Sequence, residues 1–449
     1  MRRSVLMAVT ITSFMTPFTL SSVNVALPLI AFELKASTTE MNWIATSFLI
    51  SSAIFLIPFG RLADIRGRKS LFITGTAVFS LASLLAAFSS TPGMLIAFRF
   101  LQGIGGAMIF STGIAMLTSA FPQEERGKVL GINTAAVYTG LSAGPFVGGM
   151  LTSSFGWKSV FLVTFIAGVF ALAVSVRKIK TEWAEAEGEG FDYGGSLLYG
   201  MTILFFTLGA SERHGQYMLL LSLLSFLAFF VWERRQVYPV VDLKLFTSNL
   251  PFALSNLSAL LNYSATFALT YLLSVYLQLV RNLDPGRTGA ILVAQPIVMA
   301  LLSPLAGWLS DRIEPRYVAS LGMLLNALGL FMFSGITANT AVTTLVLYLA
   351  IMGTGFALFS SPNTNAVMSS VERRFYGVAS ATLSTMRVVG QTMSMVIVML
   401  VFSSTIGTAM VSSIDPLDLV RAMGTAFTIF AGLCTLGIFT SLFRGNIRQ

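Results

Sequence analysis

From residue 4 to residue 443 the chain alternates long apolar runs with short charged segments, and this alternation limits the fold more than any other feature. A run of about 20 apolar residues crosses a bilayer as a helix. Only 10% of the residues are charged and the mean hydropathy is +0.79, against about 25% charged in ordinary soluble domains. No segment is polar enough to form a separate soluble core. In lipid, freed backbone groups need partners inside the protein, so repeated runs of this kind fold as helices. The sequence predicts an all-α integral membrane protein.

Fourteen spans are predicted, at 4–33, 41–62, 70–89, 93–119, 128–154, 157–176, 193–211, 216–233, 250–280, 288–310, 316–336, 341–368, 376–404 and 417–443. The first run is too long for a cleavable signal and has no small-residue cleavage site before Asn24 and Pro28. A net charge of +9 raises the question of nucleic acid, but the distribution answers it. With the N-terminus inside, the outer loops hold Lys35, Lys158, Arg213, Arg281 and Arg287, and Arg99, Arg387 and Arg421 fall within spans. The rest of the 28 Lys and Arg are cytoplasmic. The basic excess is therefore topology, with both termini cytoplasmic and no nucleic-acid partner implied. One cysteine, Cys434, and one histidine, His214, exclude a disulfide framework and a Cys/His metal cluster. No nucleophile–histidine pair is available, so an enzyme is not expected.

The segment GRLADIRGRK, Gly60 to Lys69, joins two spans and is echoed by GWLSDRIEPR, Gly307 to Arg316, an offset of 247 residues (307 − 60). A charged turn present once in each half describes two related bundles, an architecture of transporters. The offset leaves room for two inserted spans. The expected organisation is a six-helix bundle over 1–181, an inserted helix pair with linkers over 182–240 and a second six-helix bundle over 241–449. The inside loop RKIKTEWAEAEGEGFD, Arg177 to Asp192, mixes charges of both signs and is expected to be a mobile connector. The end of WERRQVYPVVDLKLF, Trp232 to Phe246, is expected at the membrane interface.

Pro17, Pro28, Pro145, Pro296, Pro304 and Pro362 each remove a backbone hydrogen bond inside a span. Kinks for packing and hinges around a cavity both fit. LIAFRFLQGIGGAM, Leu95 to Met108, places Arg99 inside the membrane with Gln102 on the same helix face. Burying that guanidinium costs about 2.5–3.5 kcal/mol even on insertion scales, so it needs a partner or a function. GLSAGPFVGG, Gly140 to Gly149, spaces small residues four apart around Pro145. That pattern permits close helix contact and a bend.

These segments resemble the major facilitator superfamily, specifically its fourteen-helix drug/proton antiporter branch. NVALPLI (Asn24–Ile30), NWIATSFLI (Asn42–Ile50), VVDLKLF (Val240–Phe246), VYLQL (Val275–Leu279) and GVASATLSTMRVVGQ (Gly377–Gln391) carry the likeness across the chain. The resemblance implies two six-helix bundles plus two inserted helices, and a multi-pass protein of the plasma membrane. It implies a gating latch at Gly60, Asp64, Gly67, Arg68, Lys69, Gly307 and Asp311. In it Asp64 offers its carboxylate to a neighbouring helix N-terminus, and Arg68 and Lys69 face the cytoplasm. Gly140, Gly144, Pro145, Gly148 and Gly149 match the branch's antiporter motif, which accompanies export. Protons are the implied coupling ion; no cofactor or metal is implied.

One departure stands out. The branch often carries an aspartate five residues before Asn24, where this chain has Thr19. All nineteen acidic residues lie in loops or at span ends. Glu33 is the nearest coupling candidate, positioned to pair with Arg99 if their helices are adjacent. Arg387, with Gln391 one turn on, lies about 16 Å from the inner end of its span by rise per residue. An anionic substrate group and helix carbonyls are both open as its partner. Arg421 is close enough to the outer end of its span to snorkel.

Cavity-lining candidates are Asn24, Asn133, Tyr138, Asn256, Asn262, Tyr263, Tyr271, Asn363 and Asn365, among 21 Met and 37 Phe that suit an adaptable apolar pocket. The expected function is alternating-access export of small amphipathic compounds by a protein embedded in the lipid bilayer, with a monomer favoured. An organic-anion uniporter or exchanger using Arg99 and Arg387 is the alternative. A membrane sensor or scaffold would call for a soluble output domain, and only FRGNIRQ follows Leu442.

Overall fold

The computed structural model describes residues 2–211, 215–240, 244–310, 312–371, 376–407 and 415–446. It is helical, with no β-strand among the described residues. Two compact units divide it, Met1–Asp242 and Leu243–Gln449.

The first unit contains α1 (Arg2–Glu33), α2 (Thr38–Arg66), α3 (Arg68–Ala87), α4 (Pro92–Ala120), α5 (Gln123–Phe155), α6 (Lys158–Lys178), α7 (Tyr193–Ser211) and α8 (Gln216–Glu233). Local chemistry sets several of these ends. Ser37 and Glu40 form a reciprocal cap at the start of α2: the Ser37 hydroxyl oxygen accepts from the Glu40 N–H, and the Glu40 carboxylate accepts from the Ser37 N–H. Thr91 caps α4, and Pro92 follows where no N–H is needed. α1 is the most enclosed span, packed on α5 and α6. α2 packs on α4, and α3 on α4 and α6. α7 lies against α2 and α8. α8 turns Leu220, Leu223, Leu224, Phe226 and Leu227 outward, an apolar face suited to lipid.

The second unit contains α9 (Lys244–Ser248), α10 (Leu250–Thr266), α11 (Ala268–Val275) with a π-helical turn Tyr276–Val280, α12 (Pro285–Leu292), α13 (Ala294–Ser310), α14 (Pro315–Ser334), α15 (Val342–Ser369), α16 (Tyr376–Thr405) and α17 (Pro416–Phe443). α14 packs between α15 and α17, α13 on α15, and α10 on α16 and α17. Asn249, Asp284 and Asp415 cap α10, α12 and α17 through their side chains.

Among the described residues, twelve helical stretches are long and apolar enough to cross a membrane. The predicted spans at 250–280 and 288–310 each contain a break. The stretch Leu250–Val280 divides at Phe267, near its middle, and the next divides at Val293. At the first break, the Ala268 N–H donates to Ser394 Oγ of α16 at 3.0 Å. A neighbouring helix thus satisfies a donor inside the apolar region. Pro296 lies in the first turn of α13, just after the second break.

The connector at Arg177–Asp192 departs from expectation. α6 continues to Lys178, and the residues beyond it are held against the charged turn by backbone and carboxylate contacts. Mixed charge there reflects pairing with the turn.

Candidate functional site

The charged turn owes its shape to Gly67, which ends α2 at φ +115°, a conformation that disfavours a side chain. Its Cα is covered by Glu182, whose side chain would lie 2.5 Å from an added Cβ. The Glu182 carboxylate accepts from the N–H groups of Lys69 and Ser70 at 2.7 and 3.1 Å, and from the Ser70 hydroxyl at 2.6 Å. A carboxylate at a helix N-terminus is electrostatically favourable. The sequence reading gave Asp64 the task of meeting a helix N-terminus, but within this unit Asp64 accepts from Arg68 Nε and Nη2 at 2.9 and 2.7 Å.

Arg68 is enclosed by its own unit. It is 7% exposed, and its Nη1 donates to Ser119 Oγ and Glu185 Oε1 at 2.8 and 2.6 Å. Lys69 is half-buried, with Nζ 3.5 Å from the Lys180 carbonyl oxygen. Gly60 of α2 faces Ser111 of α4, where an added Cβ would stand 3.7 Å from the Ser111 Cβ. The echo keeps this relation: Gly307 of α13 faces Ser361 of α15, 3.3 Å from its Oγ. Asp311, like His214, lies outside the described residues.

On α5 the glycine pattern meets α1. An added Cβ at Gly140 would stand 2.3 Å from the Phe14 carbonyl oxygen. At Gly144 and Gly148 it would stand 2.5 and 2.4 Å from the Cβ atoms of Ser21 and Ser22. Those serines donate to the carbonyl oxygens of Leu141 and Gly144, each at 3.1 Å. Pro145 and Gly149 are buried in the same helix. Small residues thus let two backbones approach while serine hydroxyls join them.

Arg99 is fully buried on α4. Nη1 donates to Gln102 Oε1 at 2.5 Å, Nε to the Ile44 carbonyl oxygen at 3.4 Å, and the guanidinium lies 4.8 Å from the Phe48 ring centroid. Gln102 Nε2 donates onward to Ser83 Oγ at 2.7 Å. The suggested Glu33–Arg99 pair is not formed: Glu33 Oε2 accepts from the Trp157 indole at 2.8 Å. Thr19, in place of the branch aspartate, is 1% exposed and shares a hydrogen bond with Thr164 of α6. Asn24 and Asn133 are buried on α1 and α5, and Tyr138 is half-buried on α5.

In the second unit, Arg387 of α16 lies over the Tyr263 ring at 5.2 Å, and Tyr263 meets Phe356 edge-on at 5.6 Å. Gln391 is half-buried one turn further along. Asn262 and Tyr271 are fully buried, and Asn326 Nδ2 donates to Asn262 Oδ1 at 3.0 Å. Asn256, also fully buried, donates back to its own helix at Phe252. Asn365 is half-buried, 3.3 Å from Ser310 Oγ.

Arg444, one of the charges the sequence assigns to the cytoplasmic side, is also fully buried. Its Nη1 donates to Asn363 Oδ1 at 2.9 Å and Ser255 Oγ at 3.3 Å. Burial lowers its guanidinium to about 10, with Glu314 acting in the opposite direction. Sequence reasoning missed Ser83, Glu182, Glu185, Ser255 and Asn326 as partners; their signal is spatial and leaves no local pattern.

The family model described as Major Facilitator Superfamily matches residues 9–395 and, in a second overlapping match, 255–447. The chain belongs to the major facilitator superfamily. This superfamily is one of transporters, not enzymes, so the protein is a multi-pass membrane transporter of small molecules. Among its relatives, the riboflavin transporter RibZ of Clostridioides difficile is 27% identical over 98% of this chain and 96% of that protein. Multidrug resistance protein Stp of Mycobacterium tuberculosis is 30% identical over 82% of this chain and 70% of that protein. The crystal structure of a peptide transporter, POT, in complex with alafosfalin has the same fold. It has a TM-score of 0.70 at 12% identity and covers 97% of this chain and 93% of that one.

Proposed function

We propose that this superfamily member is a secondary active exporter of small amphipathic compounds. It works by alternating access between two six-helix bundles, 1–181 and 241–449, with the helix pair in 182–240 inserted to give fourteen membrane helices. The observation that carries export is the close contact of the Gly140–Gly149 segment with α1, in the motif that accompanies exporters. The likeness to a protein named for multidrug resistance supports the same reading. The plasma membrane with both termini cytoplasmic is the proposed setting, and the turn around Asp64 and Arg68 is the proposed gate. Asn24, Asn133, Tyr138, Asn262, Tyr263 and Gln391 are the proposed polar contacts of the transport path, with Arg99 and Gln102 beside it.

Proton exchange is the proposed driving force. Thr19 leaves no carboxylate at the branch's usual position, so Glu33 is the proposed carrier at the outer end of α1. Purified protein in liposomes tests the reading. An inward-acid pH gradient is expected to accelerate accumulation of a lipophilic dye; a rate indifferent to the gradient rejects proton coupling.

A second reading draws on Arg387 over Tyr263, beside Phe356. A cation over aromatic rings suits a planar, anionic solute, and one relative is named for riboflavin transport. In that reading the protein is a uniporter or exchanger of organic anions. Arg387→Gln is then expected to abolish anion uptake while leaving the melting temperature unchanged; undiminished uptake rejects it.

A further inference from the structure

The connector between α6 and α7 docks on the charged turn. Glu182 takes both free N–H groups at the start of α3, Glu185 takes Arg68, and Glu189 forms a salt bridge with Arg61. Two backbone bonds complete the seam: the Arg68 N–H donates to the Trp183 carbonyl oxygen, and the Ala186 N–H to the Asp64 carbonyl oxygen, both at 2.9 Å. Arg61 and Arg68 of the turn, together with the N–H groups at the start of α3, are thus already taken by this segment.

The attachment is ionic in character. Of Ile179–Phe191 only Ile179 and Ala186 are buried, and the Glu185 side chain is 67% exposed. A segment with so little apolar anchorage is held by contacts that salt and charge neutralisation weaken. Ser119, at the inner end of α4, is half-buried and donates to Glu185 Oε1 at 3.3 Å. The connector therefore ties the ends of α2, α3 and α4 together.

We propose that Ile179–Phe191 is a detachable acidic strap. Docked, it occupies Arg61, Arg68 and the start of α3; it must lift before the turn engages any other acidic group, and so it acts as a brake on the transport cycle. The braking role rests on the transport reading above; the docking itself does not.

The test uses the full-length protein in nanodiscs, with Cys434→Ala removing the native thiol. Ser119→Cys is labelled with a soluble maleimide. Glu182→Gln, Glu185→Gln and Glu189→Gln together are expected to raise the labelling rate about five-fold or more, and about 1 M salt to do the same without them. Labelling unchanged by either overturns the strap. In liposomes, Ser119→Cys with Glu185→Cys is then bridged by a disulfide. Efflux is expected to fall about five-fold and recover with reductant; equal efflux in bridged and reduced protein overturns the brake. If neither state moves any dye, the transport reading fails, while labelling still decides the strap.

Discussion

The hydroxyls of Thr19 and Thr164 lie 2.8 Å apart, each 1% exposed, and join α1 to α6. Thr19 Oγ1 also donates to the Met15 carbonyl oxygen at 2.7 Å. The position where branch relatives often carry an acid is closed here by a helix contact. Thr19→Val is expected to cost about 1 kcal/mol, the net worth of a hydrogen bond. Thr19→Asp is expected to cost several kcal/mol, because the site supplies no counter-charge for a buried carboxylate. Thermal melting in detergent ranks the two; an aspartate variant as stable as wild type means the site is wetter than its packing indicates.

Glycines at helix contacts and glycines in open space are expected to respond in opposite directions. At Gly140 the added Cβ meets backbone, so Gly140→Ala forces α1 and α5 apart and is expected to cost about 1–3 kcal/mol. Gly432 of α17 has nothing within 4 Å of an added Cβ. Gly432→Ala is expected to stabilise the helix by about 0.5–1 kcal/mol. Melting temperatures of the two variants, moving in opposite directions, check the contrast.

Gln102 is the closest hydrogen-bond acceptor for Arg99. Gln102→Leu leaves a fully buried guanidinium with one long bond to Ile44 and the Phe48 ring, at an expected cost of about 3–5 kcal/mol. Gln102→Glu keeps an acceptor in place and adds charge complementarity. It is expected to melt well above the leucine variant, and expression with denaturation in detergent distinguishes them.

Asn363 and Arg444 are expected to be coupled. Asn363 also donates from Nδ2 to the Ser255 carbonyl oxygen at 3.1 Å, so it joins α15 to α10 while holding the arginine. Asn363→Leu alone strips Arg444 of its shorter bond and is expected to cost about 3–5 kcal/mol. Adding Arg444→Met removes the buried charge that caused much of that loss. A double-mutant cycle is expected to give a coupling energy of about 0.5–3 kcal/mol, and simple additivity would contradict it.

Legibility in the sequence followed distance along the chain. Gln102 is three residues from Arg99, and the glycines of α5 repeat every four, so helix geometry alone places them on shared faces. The all-helical fold followed from apolar run lengths. Arg444 reads as one more cytoplasmic charge because Ser255 and Asn363 are 189 and 81 residues away. The acidic connector looks solvated for the same reason: Glu182 carries no mark that it belongs to Gly67–Ser70. The break at Phe267 was invisible because neither proline nor glycine stands there, and the group that makes it tolerable is Ser394 on another helix.

That last arrangement links two distant positions in inheritance. An interruption inside the membrane at residue 267 persists only while residue 394 offers an oxygen to the Ala268 N–H. Among relatives that keep the interruption, position 394 is expected to hold serine, threonine or asparagine. Where the corresponding helix keeps its full backbone hydrogen-bond ladder, the constraint disappears and any small apolar residue serves. The two positions should therefore change together, and a serine in one helix would record a missing backbone bond in another.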